Sequence, residues 1–383
     1  MTPPARLAAA IALLDQILGG VPAEKALTAW GRASRFAGSG DRAAIRDLVY
    51  DALRCRRSFA ALGGAEDGRG LILGGLRAAG TDPETLFTGE GHAPAPLGPR
   101  DIGRAPQGDE GFDLPDWLMA AFRDSLGAEA EAVALALRQR TPVFLRVNRA
   151  RSDLAGAVSA LAAEEIEARP HPLAHSALEV IRGQRRIQTS RAYLSGLVEL
   201  QDAASQAVAE ALPLQDGMRV LDFCAGGGGK SLAMAARARL RLFAHDAAPQ
   251  RMRDLLPRAK RAGAEISLTD RPEALPAFDL VLADAPCSGS GSWRRDPQGK
   301  WLLTPDRLNQ ITGVQDQILD RIAGLVRPGG ILAYATCSLL QAENEARIDS
   351  FISRSAGFKR LSSQRFTPLQ GGDGFFLACL KRE

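Results

Sequence analysis

Residues 218–246 read MRVLDFCAGGGGKSLAMAARARLRLFAHD, two short apolar runs separated by a glycine-rich turn and a helical stretch. Four more apolar runs follow along the chain: EISLTD (265–270), FDLVLADAP (278–286), GILAYATC (330–337) and GFFLACLKR (374–382). Regular alternation of strand-like and helix-like segments is typical of a parallel α/β sheet with crossover helices. We therefore predict such a sheet for the C-terminal part of the chain.

The glycine-rich turn FCAGGGGKS (223–231) matches neither common phosphate-binding pattern. A P-loop needs a glycine where Cys224 stands, and the dinucleotide pattern started at Gly226 needs a glycine where Ser231 stands. Glycines still let backbone approach a ligand closely, and an acid that ends the next strand, here Asp246, suits the two hydroxyls of a ribose. The pattern favours a ribose-containing cofactor without phosphate, S-adenosylmethionine.

Polar residues stand where the predicted strands end, and ligands of parallel sheets bind beyond those ends. They are four carboxylates and two thiols: Asp222, Asp246, Asp270, Asp284, Cys287 and Cys337. Any one aspartate is explained as a helix cap, but the whole series indicates a site. Cys287 and Cys337 are candidate nucleophiles if their surroundings lower the thiol pKa, whereas Cys55 and Cys379 fit buried packing.

Bulk properties narrow the class of protein. The 383 residues carry a formal net charge of +4, a mild indication of an anionic partner. The five cysteines form no Cys-x-x-Cys pair, so we expect neither a disulfide framework nor a metal site. The start MTPPARLAAAIALLDQ fits an amphipathic helix better than a secretory signal, and no run reaches the ~18 apolar residues of a membrane span. We expect a cytoplasmic protein without membrane contact.

The N-terminal half has a different character. Residues 5–57 show helical apolar stripes, including Leu7, Leu14, Ile45 and Leu53, while 88–112 are rich in Pro and Gly. PVFLRVN (142–148) predicts a strand followed by a helix near 154–165. Arginines cluster nearby, either as a solvated face or as a phosphate-backbone surface: Arg138, Arg140, Arg146, Arg149, Arg151, Arg182, Arg185, Arg186 and Arg191. We predict domains at 1–87 (helical), 88–113 (linker), 114–212 (α/β, RNA-binding) and 213–383.

Four segments carry a specific resemblance: LDFCAGGGGKS (221–231), DAAPQRMRDLLPRAKRAG (246–263), DAPCSGSGSWRRDPQGKW (284–301) and YATCSLLQAENE (334–345). In this order they resemble bacterial RNA cytosine-5 methyltransferases, in particular 16S ribosomal RNA enzymes with an N-terminal NusB-like helical domain. GDRAAIRDLVYDALR (40–54), TPVFLRVNR (141–149) and GLVELQDAASQ (196–206) extend the resemblance over the chain. It implies a Rossmann-like methyltransferase domain whose mostly parallel sheet has an antiparallel last strand, preceded by a small α/β RNA-binding subdomain and an all-α NusB-like domain.

The resemblance also implies roles for residues. Cys337 is the nucleophile that attacks carbon 6 of cytosine, Cys287 assists product release, and Asp284 contacts the base, with Lys230 beside them. The implied cofactor contacts are Cys224, Ala225, Gly226, Gly227, Gly228, Gly229, Lys230, Asp246, Arg251, Asp270 and Asp284. One departure concerns Gly226 and Gly227, which stand where the family usually has Ala-Pro and predict a looser loop.

The expected partner is RNA, most directly 16S ribosomal RNA, bound by a monomer. Arg294, Arg295 and Lys300, with Trp293 or Trp301, predict a basic and aromatic lip for RNA, although core tryptophans explain the pattern equally well. Three alternatives stay open. They are a methyltransferase for tRNA or 23S rRNA, one for DNA, protein or a small molecule, and a non-catalytic RNA-binding factor in ribosome assembly.

Overall fold

A computed structural model describes all 383 residues, which divide into two compact units. The first unit contains Met1–Arg140 together with the separate segment Trp293–Leu302. The second contains Thr141–Ser292 and Leu303–Glu383. The division into four domains stays a prediction. No helix combines the length and the apolar composition needed to cross a bilayer.

The first unit is helical. Its helices are α1 (Pro3–Leu18), α2 (Ala23–Ala33), α3 (Ser39–Arg54), α4 (Arg56–Gly63), α5 (Gly68–Ala78), α6 (Asp116–Leu126) and α7 (Ala130–Leu137). Leu14, Ile45 and Leu71 are fully buried in its core, so the stripes predicted from the sequence do face inward. Helices α4 and α5 approach closely at Gly74, where a Cβ would lie 1.9 Å from the carbonyl oxygen of Phe59. The likeness to NusB stays a prediction.

The Pro- and Gly-rich stretch 88–112 forms a long loop with only short 3-10 turns at Pro99–Asp101 and Gly108–Phe112. Arg69 of α5 donates to Asp101 Oδ1 at 2.9 Å and Oδ2 at 2.8 Å. This bidentate pair ties the loop to the helices, and it lowers the pKa of Asp101.

The second unit begins with a small antiparallel sheet. Its elements are β1 (Val143–Val147), α8 (Leu154–Ala162), β2 (Glu167–Pro170), β3 (Ala177–Arg182), α9 (Arg191–Leu194) and β4 (Val198–Leu200). The strand order is β2-β3-β1-β4, with Leu145 and Leu178 paired across β1 and β3 and both buried. The sequence predicted β1 and α8 but not the other three strands.

The rest of the chain builds a seven-stranded sheet and its helices. The elements are α10 (Ala203–Glu210), β5 (Arg219–Asp222), α11 (Gly229–Ala235), β6 (Arg241–Ala244), α12 (Leu255–Ala262), β7 (Ser267–Leu268), β8 (Phe278–Asp284), α13 (Gly299–Leu302), α14 (Pro305–Ala323), β9 (Val326–Thr336), α15 (Glu345–Arg354), β10 (Phe358–Phe366) and β11 (Phe375–Arg382). Of these, α13 belongs to the first unit.

The strand order of the large sheet is β10-β11-β9-β8-β5-β6-β7. Strands β5 to β9 pair in parallel, and β11 is antiparallel to both β9 and β10. The predicted Rossmann-like sheet with an antiparallel last strand is confirmed. Asp222 pairs with Leu282 and Asp284 pairs with Ala335, so the carboxyl ends of β5, β8 and β9 lie side by side.

Candidate active site

Two thiols meet beyond the carboxyl ends of β8 and β9. The Sγ atoms of Cys287 and Cys337 are 3.3 Å apart, although fifty positions separate the residues along the chain. The chain stays paired with β9 just past the end of β8, because the Ala285 amide donates to the Ala335 carbonyl at 2.8 Å. The Gly291 amide likewise donates to the Cys337 carbonyl at 2.9 Å. The sheet therefore brings together the two cysteines that were predicted as candidate nucleophiles.

The surroundings distinguish the two thiols. The hydrogen bond with Cys337 raises the pKa of Cys287 well above its usual value, and burial raises it further. Cys287 is thus held as a protonated thiol that can donate its hydrogen toward Cys337. A donor at this position stabilises negative charge on the Cys337 sulfur.

An ion pair joins the first turn of helix α11 to the end of strand β8. The Lys230 ammonium is 2.7 Å from Asp284 Oδ2, and Lys230 also lies over the Phe375 ring at 4.7 Å from its centroid. Lys230 is buried, whereas the Asp284 side chain is about one-third exposed. The Asp284 carboxylate is therefore accessible to a ligand, and the Lys230 ammonium balances its charge.

The glycine turn that precedes Lys230 needs glycine at two positions. Gly226 and Gly228 have φ of +49° and +80°, in the left-handed region that other residues adopt with strain. The Gly226 amide donates to Asp246 Oδ2 at 3.0 Å, and the Ala248 amide donates to Asp246 Oδ1 at 2.9 Å. Asp246 therefore links the turn to the end of β6, although its carboxylate oxygens can each accept a further bond.

Two arginines hold the turn from outside. Arg146 of β1 donates to the Gly229 carbonyl at 2.8 Å, and Arg258 of α12 donates to the Gly227 carbonyl. Arg258 in turn pairs with Glu199 of β4 at 3.4 Å. Burial lowers the pKa of Arg146 to about 10. The interpretation of Arg146 as part of a phosphate-binding surface is therefore wrong, because its guanidinium is buried against the glycine turn.

Asp222, at the end of β5, is almost fully buried. It accepts a bond from Ser231 Oγ at 2.6 Å, but its Oδ1 has no hydrogen-bond partner in the protein. Burial raises the pKa of Asp222 to about 7. Buried polar atoms are seldom left unpaired, so this oxygen fits a ligand that brings a donor. Asp222 was predicted as a strand end but not as a cofactor contact.

The remaining predicted contacts differ in their surroundings. Ala225 is buried, and burial raises the pKa of the half-buried Cys224. Arg251 is largely exposed and lies 3.2 Å from Asp246 Oδ2. Asp270 is exposed just past the edge strand β7, and none of the hydrogen bonds or ion pairs that tie the other residues together reaches it. Its place in the site stays a prediction.

The structure contradicts the predicted basic and aromatic lip at Trp293, Arg294 and Lys300, whereas Arg295 is exposed and its part in RNA binding stays a prediction. Trp293, Arg294 and Lys300 are buried within the first unit, where Trp293 stacks on Phe122 with ring centroids 6.1 Å apart. Lys300 Nζ donates to the Arg54 carbonyl at 2.7 Å, and burial lowers its pKa to about 8. Trp301 Nε1 donates to the Leu53 carbonyl at 2.7 Å, and the Arg294 backbone carbonyl accepts from Arg54 Nε at 3.0 Å. These bonds anchor the segment, and its buried side chains are not available to RNA.

Comparisons with known proteins agree with this geometry. Residues 209–381 match the family model described as 16S rRNA methyltransferase RsmB/F, and residues 114–188 match the ferredoxin-like domain of the RsmF/B-like methyltransferases. The ribosomal RNA small subunit methyltransferase B of Enterobacter sp. (strain 638) is 31% identical over 72% of this chain and 68% of its own length. The protein of the same name from Salmonella arizonae is 30% identical over 82% of this chain and 73% of its own length.

Solved structures show the same fold. PH0851 superposes with a TM-score of 0.77 at 22% identity, covering 100% of this chain and 99% of that chain. A methyltransferase homolog protein from Pyrococcus horikoshii superposes with a TM-score of 0.62 at 24% identity, covering 71% and 96%. The fold of the whole chain is thus one that other proteins share.

Proposed function

Because the chain belongs to the RsmB/F family of 16S rRNA methyltransferases, we propose that it methylates carbon 5 of a cytosine in 16S ribosomal RNA through a covalent cysteine–cytosine adduct. Membership makes it an RNA methyltransferase. The proposal of carbon 5 of cytosine and of a covalent adduct rests on the two thiols 3.3 Å apart, next to the Lys230–Asp284 ion pair. Methyl transfer to an ordinary nucleophilic nitrogen or oxygen needs no such pair.

The cofactor is S-adenosylmethionine, whose sulfonium supplies an electrophilic methyl group. The glycine turn 226–229, Asp246 and Asp222 would hold it. Asp246 has acceptor capacity for ribose hydroxyls, and the unpaired Asp222 Oδ1 suits a ligand ammonium. The close backbone at the turn leaves room that side chains would fill.

We expect Asp246→Ala to weaken S-adenosylmethionine binding roughly ten- to hundredfold, since a charge-assisted hydrogen bond contributes about 1.5–3 kcal/mol. The variant also loses the acceptor of the Gly226 amide, which loosens the turn. Isothermal titration calorimetry measures the dissociation constant. Asp270→Ala is the comparison, because its exposure predicts a smaller change. An unchanged constant for Asp246→Ala would remove Asp246 from the cofactor pocket.

Carbon 5 of cytosine is a weak nucleophile, so the ring must first be activated. In the proposed reaction the Cys337 thiolate forms a bond to carbon 6, and the electrons of the 5,6 double bond become available at carbon 5. Negative charge then develops toward ring nitrogen 3. The Asp284 carboxylate accepts a hydrogen bond from the cytosine amino group beside nitrogen 3, and Lys230, 2.7 Å from Asp284 Oδ2, supplies the positive charge that stabilises the developing negative charge.

Release reverses the addition. The hydrogen on the methylated carbon 5 leaves as a proton, its bonding electrons restore the 5,6 double bond, and the bond from carbon 6 to sulfur breaks to return the Cys337 thiolate. Cys287 is the base that the geometry favours: its own proton passes to water, and the resulting thiolate takes the proton from carbon 5. Once Cys337 is bonded to carbon 6, its sulfur is no longer the thiolate that accepts the Cys287 hydrogen bond, and this bond is the largest cause of the raised pKa of Cys287, ahead of burial. Adduct formation thereby lowers that pKa at the moment when a base is needed.

Bisulfite sequencing of ribosomal and transfer RNA from a strain lacking the protein tests the proposed substrate. We expect one cytosine of 16S rRNA to lose its protection from conversion, and to regain it with the wild-type chain but not with Cys337→Ala. Loss of protection in 23S rRNA or tRNA instead would move the activity to another RNA. Unchanged protection at every cytosine would favour a non-catalytic role.

A further inference from the structure

A fully buried carboxylate, Glu343, stands between the loops that carry the two cysteines. It lies in the 3-10 turn Gln341–Glu343 and has no exposed surface. On one side its Oε1 accepts the Ser288 amide at 2.7 Å, and its Oε2 accepts Ser288 Oγ at 2.5 Å. Ser288 directly follows Cys287, so two bonds from one carboxylate hold that loop.

The same carboxylate holds the second loop. Ser338, which directly follows Cys337, donates its hydroxyl to Glu343 Oε2. Gln315 of α14 donates to Glu343 Oε1 at 3.2 Å and to the Pro286 carbonyl at 2.9 Å. The Tyr334 hydroxyl donates to the Glu343 carbonyl at 2.8 Å, which fixes the backbone of the turn.

Burial of a carboxylate is costly unless donors compensate it. The Glu343 carboxylate accepts four hydrogen bonds, two on each oxygen, from Ser288, Ser338 and Gln315. Its hydrogen bonds reach the residues next to the cysteines and not the thiols. Its place is therefore that of a support, and not of a group that touches the base.

We propose that Glu343 is a positioning residue that sets the separation of the two thiols, an inference that rests on the proposed function. Cys337 sits at the end of β9 and has its own backbone bond from Gly291. Cys287 lies in irregular backbone whose neighbour Ser288 depends on Glu343. Loss of the carboxylate thus displaces Cys287 more than Cys337, and it impairs release more than attack.

Glu343→Ala should therefore accumulate covalent protein–RNA adduct although both cysteines are present. We expect the ratio of adduct to methylated product to rise roughly tenfold or more, because small misplacements of a reacting group cost large factors in rate. The ratio is measured on a denaturing gel with labelled 16S rRNA, alongside counts of transferred methyl groups. Partial unfolding lowers adduct and product together and leaves the ratio unchanged.

Two further variants sharpen the result. Glu343→Gln keeps an acceptor for the Ser288 amide and presents its amide group to hydroxyls that can rotate to accept, so its ratio should stay near that of the wild type. Glu345→Gln is the matched control, since Glu345 pairs with Arg365 at 2.7 Å and not with either cysteine loop. An unchanged ratio in Glu343→Ala at normal cofactor affinity would overturn the positioning role.

Ser288→Ala covers the case in which Glu343→Ala does not fold. It removes one donor to Oε2 and keeps the Ser288 amide bond, so we expect a smaller rise in the same ratio, and no rise would count against the proposal. Cys287→Ala separates this inference from the proposed function. Adduct in Cys287→Ala but not in the Glu343 or Ser288 variants overturns the positioning role alone. No adduct in any variant overturns the covalent mechanism itself.

Discussion

Cys337→Ala should abolish methyl transfer, with a loss of at least about four orders of magnitude in kcat, as is typical when a covalent nucleophile is removed. Alanine leaves carbon 6 of the base without an attacking group, and carbon 5 is then too weak a nucleophile. S-adenosylmethionine binding should persist, because the glycine turn and Asp246 are untouched. Transfer of labelled methyl groups to 16S rRNA measures the loss.

Cys379→Ala is the matched control for this experiment. Cys379 is buried in β11 of the same sheet, away from the strand ends, and burial raises its pKa to about 11. It behaves as a small apolar side chain, so the variant should lose some stability and keep its turnover. Full activity in Cys337→Ala would assign the nucleophile elsewhere, with Cys287 as the next candidate.

Cys287→Ala should trap the enzyme on its substrate. Attack by Cys337 and methylation proceed, but the sulfur that lies 3.3 Å from Cys337 Sγ is gone, so no Cys287 thiolate takes the proton from carbon 5 and the adduct persists. We expect a slow-migrating protein–RNA band on a denaturing gel and almost no free product. The band should disappear when the gel sample is treated with ribonuclease.

The double variant Cys287→Ala with Cys337→Ala supplies the control, because it must lose the band entirely. A band that survives in the double variant would place the covalent bond on another residue. Rapid turnover in Cys287→Ala without any band would show that water or another base completes the release, and it would remove Cys287 from the mechanism.

The sequence predicted the large sheet well because its buried strands are continuous apolar runs. All six predicted runs coincide with strands, β5 to β9 and β11. The seventh strand, β10 (Phe358–Phe366), was missed because its residues are mostly polar and exposed at the sheet edge. The short strands β2 and β4 of the small sheet, with four and three residues, likewise lack a pattern long enough to detect.

The sequence predicted the site residues that lie at strand ends, but not those whose role depends on which groups are buried together. Cys287, Cys337 and Asp284 followed from the carboxyl-end rule. Glu343 lies within YATCSLLQAENE, but its role depends on Ser288, fifty-five positions away. The prediction of the lip was wrong for its buried members because a run of arginine, lysine and tryptophan does not show whether the polar atoms face solvent or backbone carbonyls. Lys300, for example, donates to the Arg54 carbonyl.

The segment that anchors itself in the helical unit has a consequence for biosynthesis. Residues 1–140 leave the ribosome first, but Trp293 and Lys300 follow only about 150 residues later. At about 5–20 residues per second that delay lasts roughly 8–30 seconds. During this delay the Phe122 ring cannot stack on Trp293, and the Arg54 carbonyl lacks the hydrogen bond from Lys300. The N-terminal unit therefore completes its native packing late in translation, after most of the second unit has been made.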